Sequence, residues 1–176
     1  MVIARDKNLK ELIMERIKMY GLNCDLNDID VSHVTSMSCL FAFINFNGDI
    51  SRWDVSRVES MESMFAFTNF NGDISRWDVS NVKDMTNMFL ASKFDRDISR
   101  WDVSRVKSMN YMFAYSPFNG DISKWDISNV KTMCGMFYNT TVFDKKLPFI
   151  YNNDDYIDLF KNIFGDTYND YIKRIQ

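Results

Sequence analysis

Two columns of aspartate recur along this chain. One holds Asp25, Asp49, Asp73, Asp97 and Asp121; the other holds Asp30, Asp54, Asp78, Asp102 and Asp126. Regularly spaced carboxylates are the raw material of a calcium site, which needs about 6–8 oxygens converging on one point. Here each aspartate stands among apolar neighbours rather than in a Gly-rich acidic loop. That setting favours structural use, accepting backbone N–H groups at turns or pairing between repeats. Beside the second column run Arg52, Arg76, Arg100 and Lys124. They read in two ways: a neutralising Arg–Asp ladder, or, with Arg57, Lys83, Arg105, Lys107 and Lys131, a positive stripe for an acidic protein or a phosphate backbone. A tryptophan column (Trp53, Trp77, Trp101, Trp125) offers stacking to carbohydrate or bases. A methionine column begins with Met61 and Met64 and offers soft thioether donors. Apolar columns this regular are better explained as core. His33 is the single histidine, in a variable polar column with Arg57, Asn81, Arg105 and Asn129, so a surface position is expected. Cys24, Cys39 and Cys134 have no metal-ligand spacing and read as free thiols, mostly buried, in a reducing compartment. With no Gly-rich phosphate loop and no CxxC, neither a catalytic residue nor a metal or cofactor site is expected, and the chain reads as non-enzymatic.

Whatever these residues do, a repeat must position them. Asp49–Gly72 (DISRWDVSRVESMESMFAFTNFNG) is followed without insertion by units at 73–96, 97–120 and 121–144, each of 24 residues. A weaker unit at 25–48 precedes them, with Ile29 where the others carry tryptophan. Apolar residues recur at Ile50, Trp53, Val55, Val58, Met61, Met64, Phe65 and Phe70. The run Ile-x-x-Trp-x-Val resembles a leucine-rich-repeat core, and the alternation of Trp53 with Val55 suits a short strand with both side chains inward. Spacings of three and four from Val58 to Phe65 suit a short helix. Asn71-Gly72 supplies a turn. One such unit cannot bury its own apolar face, but stacked units form a continuous core. The expected fold is therefore a repeat solenoid, a leucine-rich-repeat-like α/β stack of about five 24-residue units.

The pattern W-D-V-S-x-V-x-x-M-x-x-M-F, followed by F-N-x-D-I-S, resembles the BspA-like leucine-rich repeats, specifically their mycoplasma-type branch. The resemblance spans about Asp25 to Asp144. It implies a right-handed solenoid. It also implies a binding role, because some members are surface proteins of adhesion and host interaction while many have no known activity.

Both ends are expected to be helical caps. Within residues 1–24, Asn8–Tyr20 is amphipathic, with Leu9, Leu12, Ile13 and Ile17 on one face, capping-box spacing at Asn8 and Glu11, and Gly21 as terminator. Residues 145–176 place Tyr156, Ile157, Phe160, Ile163 and Phe164 on one face, which suits a cap over the last repeat or a docking helix. The three parts are expected to form one folded domain.

The chain has 176 residues, 46% of them hydrophobic and 26% charged, with a net charge of −3. That composition suits a packed core, and the mild acidity argues against nucleic acid and anionic membranes as partners. The opening MVIARDKNLKELIMERIKMY lacks the apolar region of a signal peptide, so a cytoplasmic location is expected. The residues that differ between copies, where a unique site could be written, cluster at 62–63, 86–87, 110–111 and 134–135, and at 67–69, 91–93 and 115–117. Tyr111 and Tyr115 add aromatics there, on the expected helix side, and aromatics are enriched at binding hot spots. Three functions are consistent with these features: a protein-interaction module, with Tyr111, Tyr115 and the column Arg52, Arg76, Arg100 and Lys124 as candidate contacts; a self-associating structural subunit; or a glycan- or calcium-binding protein.

Overall fold

The computed structural model describes residues 2–140, so the expected C-terminal cap at 145–176 lies outside the described residues. Three elements open the chain: strand β1 (Val2–Ile3), helix α1 (Leu9–Tyr20) and strand β2 (Ile29–Asp30). β1 pairs in parallel with β2, Val2 opposite Ile29 and Ile3 opposite Asp30. Leu9 and Ile13 of α1 are buried in the same cluster as Leu26, Ile29 and Val34 of the first unit. An ion pair of 2.8 Å between Arg16 and Asp28 holds the helix to that unit. Asp6 adds a second tie, accepting the Thr35 backbone N–H at 2.8 Å and the Thr35 hydroxyl at 2.6 Å. The expected capping box does not form: the Asn8 side-chain oxygen instead accepts the Arg5 N–H at 2.7 Å. Gly21 ends the helix with φ 87°, donating its N–H to the Ile17 carbonyl.

Over residues 25–140, equivalent positions lie on top of one another. Parallel bridges join Asp25 to Asp49 and run on from Ser36 to Ser60, Asp84, Ser108 and Thr132. The N–H groups of Phe41, Phe65, Phe89 and Phe113 donate to the carbonyls of Met64, Met88, Met112 and Met136 at 2.9–3.0 Å. Each 24-residue unit is thus one turn of the chain, hydrogen-bonded to the next.

The content of a turn differs from the sequence expectation. Neither a strand at Trp53–Val55 nor a helix from Val58 to Phe65 is present; the parallel bridge falls at Ser60, and a run of tight turns comes after it. The hydrogen bonds give the reason. Met61, Ser63, Phe65 and Phe67 send their N–H groups to the next unit, at Asp84, Thr86, Met88 and Leu90. The alternate donors Met64 and Ala66 close onto the residue three before, Met61 and Ser63. A helix needs each of these donors for its own i−4 carbonyl. Ser63 and Phe67 also have φ of 54° and 56°, a conformation no right-handed helix contains. The three-and-four spacing of apolar residues therefore marks turns that return residues three or four apart to the core.

Aromatic columns fill that core. Phe41, Phe65, Phe89, Phe113 and Phe137 stack at 5.6–5.7 Å between ring centroids. Phe46, Phe70, Phe94 and Phe118 stack at 6.2–6.3 Å. The two columns touch within each turn, as Phe89 and Phe94 do at 4.0 Å. Trp53, Trp77, Trp101 and Trp125 are all 4% exposed. Their indole N–H groups donate to the carbonyls of Leu26, Ile50, Ile74 and Ile98, each 27 residues back, at 3.0–3.2 Å. That bond lets a polar ring stay buried and ties each turn to its predecessor. At Gly48 a β-carbon would lie 2.0 Å from the Cys24 carbonyl oxygen, so only glycine fits this contact between turns.

Candidate functional site

The aspartates serve the turns. Asp49, Asp73, Asp97 and Asp121 each accept the N–H of the serine two residues on, at 2.9–3.0 Å. Asp54, Asp78, Asp102 and Asp126 repeat the arrangement at 3.0–3.1 Å. These bonds favour the charged form. The Ser51, Ser75 and Ser99 backbone N–H groups hold Asp49, Asp73 and Asp97 below the usual carboxylate range. Among the described residues, no group of three or more histidine, cysteine or acidic side chains is placed to hold a metal ion.

The basic column faces the first aspartate column, not the second. Arg52 lies 3.7 Å from Asp25 of the preceding turn, with both side chains largely in solvent. Arg76 and Arg100 line a shallow depression with Asp73 and Asp97. Lys124 lines another with Asp97 and Asp121. Both columns accept their own Ser+2 amides, so that engagement does not set the preference. Exposed pairs of this kind contribute about 0–1 kcal/mol each. His33 is exposed, its Nδ1 3.0 Å from the Ser32 hydroxyl, and of the cysteines expected to be mostly buried only Cys24 is, Cys39 and Cys134 lying exposed on the turns.

The turns after the bridge make a different surface. Two positions per turn adopt left-handed backbone. The first column is Cys39, Ser63, Asn87, Tyr111 and Gly135; the second is Phe43, Phe67, Ala91, Tyr115 and Asn139, with φ between 51° and 62° throughout. Glycine and asparagine suit this conformation best, and bulky residues strain it. Only Asn87, Gly135 and Asn139 obey that preference. Four of the rest are aromatic and exposed: Phe43 (75%), Phe67 (46%), Tyr111 (42%) and Tyr115 (53%). Phe43 and Phe67 stack on each other at 4.8 Å. Tyr115 meets Tyr138 edge-on at 5.4 Å. Tyr111 lies over Gly135, where a β-carbon would be 2.3 Å from its ring, and its hydroxyl is 3.8 Å from Cys134 Sγ.

This face carries almost no charge. Across residues 38–45, 62–69, 86–93, 110–117 and 134–140 the charged residues are Glu62 and Lys93. Lys10 of α1 reaches its edge, donating to the Cys39 carbonyl at 3.3 Å. Tyr111 and Tyr115 thus lie together on one neutral face, on turns rather than on a helix, while Arg52, Arg76, Arg100 and Lys124 belong to a separate charged one. Sequence reasoning missed Phe43. An apolar residue in a regular repeat reads as core, yet its column (Phe, Phe, Ala, Tyr, Asn) lacks the uniformity of the buried ones, and that was the available signal.

A family described as "Mycoplasma protein of unknown function, DUF285" matches the chain over residues 7–116 and again over 67–170, two overlapping stretches that take in every repeat. The chain belongs to this family. No curated protein and no solved structure matches it.

Proposed function

We propose that the chain is a non-enzymatic protein-interaction module, a repeat solenoid of the BspA-like leucine-rich type whose neutral aromatic face holds a protein partner. One observation carries the reading: exposed aromatic side chains at left-handed backbone positions, Phe43, Phe67, Tyr111 and Tyr115. Each left-handed non-glycine residue costs on the order of 1–3 kcal/mol, and strain of this kind clusters where function requires it. The buried columns need no help from these rings. Aromatics surrounded by neutral polar groups such as Asn45, Asn69 and Asn110 suit a protein surface better than a phosphate backbone.

The test is affinity capture from source-cell and host-cell lysates, read by mass spectrometry, with wild type beside Tyr111→Ala/Tyr115→Ala and beside Arg52→Ala/Arg76→Ala/Arg100→Ala. A partner retained by the arginine variant and lost by the tyrosine variant supports the reading. A partner lost only by the arginine variant moves the site to the charged face; no partner with wild type defeats the proposal.

A second reading, self-association as a structural subunit, draws on Met19 and Tyr20 at the end of α1, which are 65% and 66% exposed beside Met14 and Leu22. Light scattering across a concentration series separates the two.

A further inference from the structure

The exposed aromatic column is interrupted. Phe43 and Phe67 stack in register at 4.8 Å and 8° between planes. One turn later the same position is Ala91, and one turn beyond it is Tyr115. The backbone continues unbroken. The N–H groups of Phe43, Phe67, Ala91 and Tyr115 all donate to the next turn, at the carbonyls of Ala66, Leu90, Ala114 and Tyr138 and at 2.8–2.9 Å. Their φ values are 62°, 56°, 51° and 57°. A ring is therefore missing from the ladder because the side chain is a methyl group, not because the chain departs from its path.

Resting on the interaction reading above, we propose that the gap over Ala91, between Phe67 and Tyr115, receives a single aromatic side chain from a neutral segment of a protein partner. Phe67 and Tyr115 are two turns apart, roughly 10 Å at the Phe43–Phe67 spacing of 4.8 Å, so a ring entering midway lies about 5 Å from each, within the range aromatic pairs prefer. Phe67 offers the face not taken by Phe43, and exposed Tyr115 holds the equivalent position on the far side of the gap. Leu90, half-buried where the equivalent positions 66 and 114 are alanine, adds apolar surface beside the gap. Charge decides between occupants. Lys93 is the one cation in that turn's stretch of the face and Glu62 balances it one turn back. A nucleotide would bring phosphate to a surface with no basic cluster to receive it. A tyrosine, phenylalanine or tryptophan side chain in an uncharged peptide meets no such mismatch.

The experiment is an NMR titration of the full chain with N-acetyl-tryptophanamide, with N-acetyl-leucinamide and adenosine monophosphate as the comparison probes. Saturable shifts at Ala91, Phe67 and Tyr115 with the tryptophan amide, and at least tenfold weaker response to the other two, are expected. Ala91→Phe should abolish them while leaving the protein folded, because Phe43 and Phe67 already occupy the same backbone conformation. Phe67→Ala, which removes one wall and leaves Ala91 untouched, should weaken binding at least tenfold. Absent shifts at Ala91, equal binding to Ala91→Phe, or equal response to adenosine monophosphate each overturn the proposal. Lysate capture stays separate: a partner still held by Ala91→Phe preserves the interaction reading and rejects the gap.

Discussion

Phe89 and Phe43 are the same residue type in the same kind of turn, and the structure assigns them opposite energetics. Phe89 is fully buried, with Phe94 at 4.0 Å, Phe65 at 5.6 Å and Phe113 at 5.7 Å. Truncating a buried phenylalanine to alanine costs about 3–5 kcal/mol in lost transfer energy and cavity. Three close ring partners, each worth about 0.5–1.5 kcal/mol beyond area, place Phe89→Ala at the upper end. For a chain of this size about 1 kcal/mol moves Tm by roughly 2–4 °C, which gives a fall of about 10–20 °C. Phe43 is 75% exposed and, among the described residues, has one ring partner, Phe67. Its alanine variant should lose no more than about 1 kcal/mol, a shift of a few degrees. Thermal melts monitored by far-UV circular dichroism compare the two directly. Equal losses, or a larger one at Phe43, would refute the assignment of inner and outer columns.

The same contacts predict two further outcomes. Trp101→Phe should destabilise by about 1–3 kcal/mol, because the buried Ile74 carbonyl loses the indole N–H at 3.1 Å; denaturant melts measure it, and a change within error would mean that the bond is replaced. Acid should lower the thermal stability of the protein through its aspartate turns. The folded-state pKa of Asp49, Asp73 and Asp97 is lowered from 3.8 by the Ser+2 amides, so their stabilisation is complete above the unfolded value and lost as pH falls through the folded one. Tm should therefore be flat above about pH 5 and decline below about pH 4, and a decline that begins near neutrality would implicate other groups.

The inward packing of the repeated apolar columns was legible in the sequence, because identical columns at a fixed interval have one economical use. Ile50, Trp53, Val55, Val58, Met61, Met64, Phe65 and Phe70 are buried, as are their described counterparts except the partly buried Ile127 and Val130. The local conformation of the turn was not legible. A spacing of three and four fits a helix and a string of tight turns equally well. The deciding fact, that the N–H groups of Met61 and Phe65 go to the neighbouring turn, is a property of the stack and not of the segment. The left-handed positions were hidden for a related reason: sequence preference points to glycine and asparagine there, yet Phe67, Tyr111 and Tyr115 occupy them. Tyr111 and Tyr115 were found as departures from the repeat; Phe43, in the weaker first unit, was not. Arg52 meets Asp25 of the preceding turn, a placement set by the offset between neighbouring turns, which spacing within one unit does not reveal.

One geometric claim underlies both the core and the aromatic face: 24 residues make one turn of a stack. Deleting residues 73–96 joins Gly72 to Asp97 and recreates the Asn-Gly-Asp-Ile-Ser-Arg junction already present at 71–76. If each unit is a turn, this shortened chain folds and melts cooperatively at a lower temperature than wild type, while a deletion of 73–90, out of register, does not fold. Circular dichroism and thermal melting of the two deletions are the measurement to make. A folded out-of-register chain, or an unfolded in-register one, would contradict the stack and the face built upon it.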